Sequence, residues 1–126
     1  MRKEVEDWLK QAEADLRSAH HCIQSQDYYL AVFACHQAAE KALKALHLVK
    51  FKEIPMGHSI IYFAQKLKIP SEMISGIRDL NPEYLTTRYP DMAAGVPAEL
   101  YDQAIAQRHY HSAEKVILWV KRQIQI

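Results

Sequence analysis

Apolar residues return every three or four positions along almost the whole chain, and that spacing predicts helix from end to end. Trp8, Ala12, Leu16, Ala19 and Ile23 make one buried stripe on a helix from about Lys3 to Ser25. Glu4, Glu6 and Asp7 fall in its first turns, where the helix dipole favours negative charge. Ser25-Gln26-Asp27 interrupts the pattern, with Asp27 suited to cap the next helix. That second helix is predicted from about Tyr28 to Lys50, with Val32, Phe33, Ala39, Leu43 and Leu46 as its large apolar stripe. So short a connection makes the two helices antiparallel neighbours.

The periodicity stops at Ile54-Pro55-Met56-Gly57. His58-Ser59 then opens a short third helix, with Ile61, Ala64 and Leu67 on its buried side. Pro70-Ser71-Glu72 marks another start, with Ser71 as cap and Ile74, Ile77 and Leu80 inward. Asn81-Pro82 restarts or kinks this helix. Thr86 to Val96 reads as irregular, and Tyr89, preceding a proline, is biased towards extended backbone. The last helix is predicted from about Ala98 to Gln123, lined by Tyr101, Ala104, Ile105, Ala113, Val116, Ile117 and Val120. No strand pattern, repeat or low-complexity tract stands out. The expected fold is all-α: an up-and-down bundle of four to five helices forming one domain over residues 1–126.

Composition agrees with the periodicity. There are only 3 glycines in 126 residues, while Ala, Leu, Glu, Lys and Gln are plentiful, which favours helix. A chain of this size can bury a core without staples. Cys22 and Cys35 lack a metal or redox spacing and read as buried thiols. The opening MRKEVEDWLK has no signal-peptide core, and no apolar run approaches the ~20 residues of a membrane span. The expectation is a cytoplasmic protein without membrane contact.

Charge narrows the partners. The formal net charge is +1, whereas a stand-alone nucleic-acid binder usually carries a basic excess to neutralise phosphates. Contact with RNA or DNA must therefore come from a local patch or from a partner. The small residues Ala31, Cys35, Ala38, Ala42 and Ala45 form a seam on the second helix. It fits close packing inside the bundle or contact with a second copy, and a homodimer is expected.

Two polar clusters carry candidate chemistry. His36, Glu40, Lys44 and His47 step by four, four and three, so they share a helix face, with Glu40 and Lys44 in the favourable order for an ion pair. The face is either a solvated ion-paired surface or the polar wall of a ligand groove. Arg88-Tyr89-Pro90-Asp91 lies in a loop, where binding residues concentrate. Arg88 offers a planar fork to a phosphate or carboxylate, and Tyr89 a ring to stack on a base. Alternatively, Arg88 and Asp91 pair to pin the loop. The candidate ligand site joins Arg88, Tyr89 and Asp91 to His36, Glu40, Lys41 and Lys44, with His58 nearby. There the two lysines and the arginine neutralise phosphate, the acids orient the cations, and amides at the start of the third helix add an anion site. No Gly-rich phosphate loop, GxSxG or HExxH motif occurs. His109 and His111, two apart on a helix, point in different directions and make a poor metal pair. No catalytic residue, metal or cofactor is assigned.

Trp8 with Ala12 and Asp15-Leu16, then the run from Tyr28 to Ala45 containing HQAAEKALKA, resemble the first two helices of HEPN domains. Gly57-His58-Ser59, Arg88-Tyr89-Pro90-Asp91 and the terminal Ala113, Val116-Ile117 and Trp119 continue the resemblance in order over nearly the whole chain. It implies a four-to-five-helix bundle, often dimeric. It also implies a small protein encoded beside a minimal nucleotidyltransferase, linked to nucleotide binding, in a family with many toxin–antitoxin ribonucleases. Those ribonucleases use an Arg-x4-6-His pair, in which the His moves a proton and the Arg steadies the phosphate. Arg108-His109-Tyr110-His111 and Arg17 with His20-His21 are too closely spaced. The resemblance therefore points to a non-catalytic subunit. The alternatives are a ribonuclease using Arg108 with His109 or His111, and a purely structural dimer.

Overall fold

The computed structural model describes residues 2–125. The chain runs α1 (Arg2–Gln24), α2 (Tyr28–Phe51), α3 (Ile60–Lys66), α4 (Ser71–Leu80), α5 (Glu83–Thr86), α6 (Pro90–Ala93), a 3-10 turn (Pro97–Glu99) and α7 (Gln103–Ile124). No strand occurs among the described residues, and the three long helices form a bundle with α2 at its centre. No described helix is long and apolar enough to cross a membrane.

The first turn works as the sequence requires. Gln26 takes a left-handed backbone (φ 67°), and the amide of Asp27 closes back on the Cys22 carbonyl at 2.8 Å. The chain reverses, and α1 and α2 run antiparallel: Asp15 meets Lys41, and Val5 packs with Ala45 and Leu48. Asp27 holds the N-cap position of α2, but its carboxylate takes the Ser25 hydroxyl at 3.0 Å instead of a helix amide.

Helix α2 is buried nearly all round. Its apolar stripe packs on one side, and Leu43 and Leu46 are each fully buried, contributing about 1.5–3 kcal/mol apiece. The seam Ala31, Cys35, Ala38, Ala42 and Ala45 is also fully buried within the single chain. Small side chains there let α1 and α7 approach the α2 backbone. The seam is spent on packing and offers no face to a second copy, so the dimer expectation loses the feature that motivated it. Burial raises the Cys35 thiol to about 12, with Cys22 nearby adding to the shift, so Cys35 is an inert core thiol. Cys22 is only partly buried.

Boundaries shift in the second half. Helix α4 has Pro70 at the cap position and Ser71 as its first helical residue, with no side-chain cap. The segment read as irregular holds α6 and a left-handed Ala94 (φ 56°). The last helix begins at Gln103, later than expected, because the 3-10 turn at Pro97–Glu99 intervenes and Asp102 caps the Ile105 amide at 2.8 Å. That start leaves Ala104 exposed and turns Ala106 and His109 inward. Asn81-Pro82 does restart the chain, as α5.

Candidate ligand-binding site

Glu40 anchors the site. Although a carboxylate, it is buried to 4% exposure midway along α2. Lys44, one turn on, donates to Oε2 at 3.2 Å, and His58 donates from Nδ1 to Oε1 at 3.0 Å. A charge so far from water needs such partners. The contact turns the Nδ1 edge of the His58 ring towards the carboxylate. Nε2 lies at the other edge of a side chain that is 47% exposed.

Behind Glu40 lies His36, fully buried, with Nδ1 3.8 Å from Glu40 Oε1 and both ring nitrogens unpartnered. Burial lowers its pKa from 6.5 to about 4, against the pull of Glu40, so this imidazole is neutral at pH 7. It is a core residue touching the site from below, with its ring 5.5 Å from that of Tyr84.

Tyr84 is the centre of the exposed part. His58 stacks on it, and the Arg88 guanidinium sits over the same ring at 4.3 Å. Arg88 also lies 5.2 Å from the Phe33 ring and 4.9 Å from the Tyr89 ring, and its Nε donates to the Tyr84 carbonyl at 2.9 Å. Positions 84 and 88 are one helical turn apart, which is why the guanidinium meets this ring. Clefts open on both sides of the shelf. One, of about 250 Å³, is lined by His58, Ser59, Asn81, Pro82, Tyr84 and Leu85. The other, of about 420 Å³, runs from Tyr29, Leu30 and Phe33 past Arg88 to Val96 and Pro97.

The opposite side of α5 is tied to the bundle. Glu83 receives the Tyr101 hydroxyl at 2.9 Å, the Thr86 hydroxyl, and His109 Nε2 at 3.2 Å. Burial alone would raise its pKa, but these donors outweigh that and hold the carboxyl below its ordinary value. Thr87 donates to the Glu83 carbonyl at 2.6 Å. Burial, together with the neighbouring Glu83, pushes the Tyr101 phenol up to about 12, against the opposing Thr86 bond.

Of the residues named from sequence, Arg88, Tyr89, Glu40, Lys44, His36 and His58 do come together. Lys41 does not: it turns to α1 and pairs with Asp15 at 2.6 Å. The reason is helical phase, since one residue beyond Glu40 faces a different neighbour. Asp91 stands exposed at the start of α6 and forms no ion pair with Arg88 among the described residues. Lys44 is 7% exposed and committed to Glu40, so Arg88, not a lysine pair, is the cation this face presents. The expected amide site at α3 is also occupied: Asn81 Oδ1 takes the Ile61 amide and Ser59 Oγ the Tyr62 amide. Tyr84 and Phe33 are members the sequence reading missed. Tyr84, four residues before Arg88, was the available signal. His109 and His111 do diverge, His109 inward and His111 to solvent.

Comparison with known proteins agrees with this architecture. The HEPN domain profile matches residues 5–123. A crystal structure from Thermus thermophilus superposes with a TM-score of 0.87 at 35% identity, covering 94% of this chain and 97% of that one. The crystal structure of an archaeal HEPN homologue gives 0.85 at 36% identity, covering 97% and 98%. A HEPN domain protein from Thermotoga maritima gives 0.75 at 28% identity, covering 95% and 99%. The comparison with curated proteins gave no match. The chain belongs to the HEPN family, and its fold is the helical bundle that family shares with these structures.

Proposed function

We propose that this chain is a non-catalytic HEPN subunit that holds a nucleotide or a stretch of nucleic acid on the Tyr84–Arg88 shelf, beside a minimal nucleotidyltransferase in a toxin–antitoxin type module. The observation that carries the reading is Arg88, an exposed guanidinium laid over Tyr84 with Phe33 and Tyr89 around it. A guanidinium presents a planar fork to phosphate, and the exposed ring of Tyr89 beside it can stack on a base of any sequence. His58 Nε2 adds a hydrogen-bonding group at the other edge of the same ring system. One exposed cation supports weak, local recognition, in keeping with the near-neutral net charge.

The non-catalytic part rests on the absent Arg-x4-6-His spacing, with His111 too close to Arg108 to supply it, and on the placement of His109 and Arg108. His109 is buried against Glu83, and Arg108 is held by Asp79 at 2.8 Å. The test is calorimetric titration of the protein with ATP and with a short single-stranded RNA, at low and high salt. Saturable binding that weakens with salt is expected. No heat with either probe would reject the ligand reading, and cleavage of the RNA would reject the non-catalytic one.

A further inference from the structure

We infer that Glu83 is a positioning residue for the ligand shelf, which keys the short helix α5 to α7 and thereby sets the geometry of Tyr84 and Arg88. The inference rests on the shelf being the binding site only where ligand is measured; the coupling itself is a property of the fold.

Helix α5 spans four residues, Glu83–Thr86, too few to hold a helical conformation without tertiary support. Its residues divide between two sides. Glu83 and Thr87, four apart, are 9% and 1% exposed and face the bundle. Tyr84 and Arg88, also four apart, form the shelf. The two sets are adjacent in sequence, so the seating of Glu83 fixes the rotation of α5 and hence where the tyrosine and arginine point.

The seat is specific. Three donors from two other places in the sequence and one local residue converge on one carboxylate: His109 of α7, Tyr101 ahead of α7, and Thr86. His109 is itself 1% exposed, and its Nδ1 has no hydrogen-bond partner, with Asp79 Oδ2 3.8 Å away. Asp79 is engaged at the surface by Arg108. The bonded set thus runs from His109 through Glu83 to α5, with the exposed Arg108–Asp79 pair lying beside it. Nothing in it touches the shelf directly, so it acts through the backbone of α5.

The experiment uses two variants of the whole chain, Glu83→Gln and the milder Tyr101→Phe. The first readout is NMR of the His58 ring protons, which are shifted by the ring current of Tyr84 while the stack persists. The second is hydrogen exchange of the α5 amides, and the third a thermal melt. The inference predicts His58 shifts moving towards unstacked values and α5 amides exchanging about five- to tenfold faster, with α1, α2 and α7 still protected. Tyr101→Phe should give the same pattern at smaller amplitude, and it decides the matter if Glu83→Gln fails to fold. Unchanged His58 shifts and unchanged α5 exchange in a folded variant would overturn it. Titration with ATP separates the two ideas: silence in the unmodified protein counts against the binding reading alone, because the NMR and exchange arms need no ligand.

Discussion

The imidazole of His58 lies on the ring of Tyr84 with centroids 4.0 Å apart and planes 12° from parallel. Two residues far apart in sequence thus share one surface, and each is anchored separately: His58 by Glu40, and Tyr84 by its place on α5. The Tyr84 hydroxyl makes no hydrogen bond among the described residues, so the ring is what matters. Tyr84→Phe should leave stability and binding unchanged. Tyr84→Ala should lower stability by about 1–3 kcal/mol, for lost packing and stacking, and weaken ATP or RNA binding. Paired melts and titrations of the two variants check this, and equal behaviour of Phe and Ala would contradict it.

Glu40 compensates Lys44 inside the bundle. Glu40→Leu leaves a lysine that is 7% exposed without its partner, and should cost about 3–5 kcal/mol. Adding Lys44→Met should restore much of that, because the stranded charge is removed. A double-mutant cycle by urea denaturation measures it. Additive costs would show that the pair does not interact.

Acid should weaken the fold through His36. Unfolded, its imidazole titrates near 6.5; folded, burial holds it at about 4. Between those values the unfolded chain binds more protons, so stability rises with pH across that window. The stability is complete above pH 6.5 and falls away towards pH 4, by roughly 3 kcal/mol. Glu83 acts in the same direction at lower pH, since its folded pKa lies below 4.5. His36→Leu also removes two unpartnered buried nitrogens, so it should cost less than about 1 kcal/mol at pH 7. Its stability should vary less than that of the unmodified protein between pH 7 and 5. Parallel pH dependences in the two proteins would remove His36 from the account.

Helices α4 and α7 meet at Gly76. A Cβ built there would lie 2.6 Å from Ser112 Oγ and 3.2 Å from Ser112 Cβ. Gly76→Ala should therefore destabilise by about 1–3 kcal/mol despite the better helix propensity of alanine. Removing the hydroxyl with Ser112→Ala should recover part of the loss. Thermal melts of both single variants and the double decide it, and a stabilised Gly76→Ala would refute the close approach.

How far the sequence reached depends on which signals are local. Periodicity located α1 and α2 to within a few residues, because both carry one long apolar stripe and are separated by a three-residue turn. Turn chemistry was harder: the start of α7 lies at Gln103, not Ala98, because a 3-10 turn comes first and Asp102 supplies the cap. Step counting placed Glu40 and Lys44 correctly on one face, but could not show that the face is buried. It also could not assign Lys41, whose partner Asp15 lies on another helix. Tyr84 carries no local signal beyond its place four residues before Arg88; its role depends on His58 and Arg88 arriving from either side. The seat of Glu83 on His109 and Tyr101 joins residues far apart in sequence and has no local pattern at all.

The most direct test of the central claim is titration of Arg88→Ala with ATP and with a short single-stranded RNA, run beside a thermal melt. Arg88 is exposed, and its contacts are to the Tyr84 carbonyl and to exposed or half-buried rings. The account predicts binding weaker by about 1–3 kcal/mol, the usual cost of losing a charge-assisted contact, with stability changed by less. Binding retained at full strength in a protein that melts like the unmodified one would contradict it.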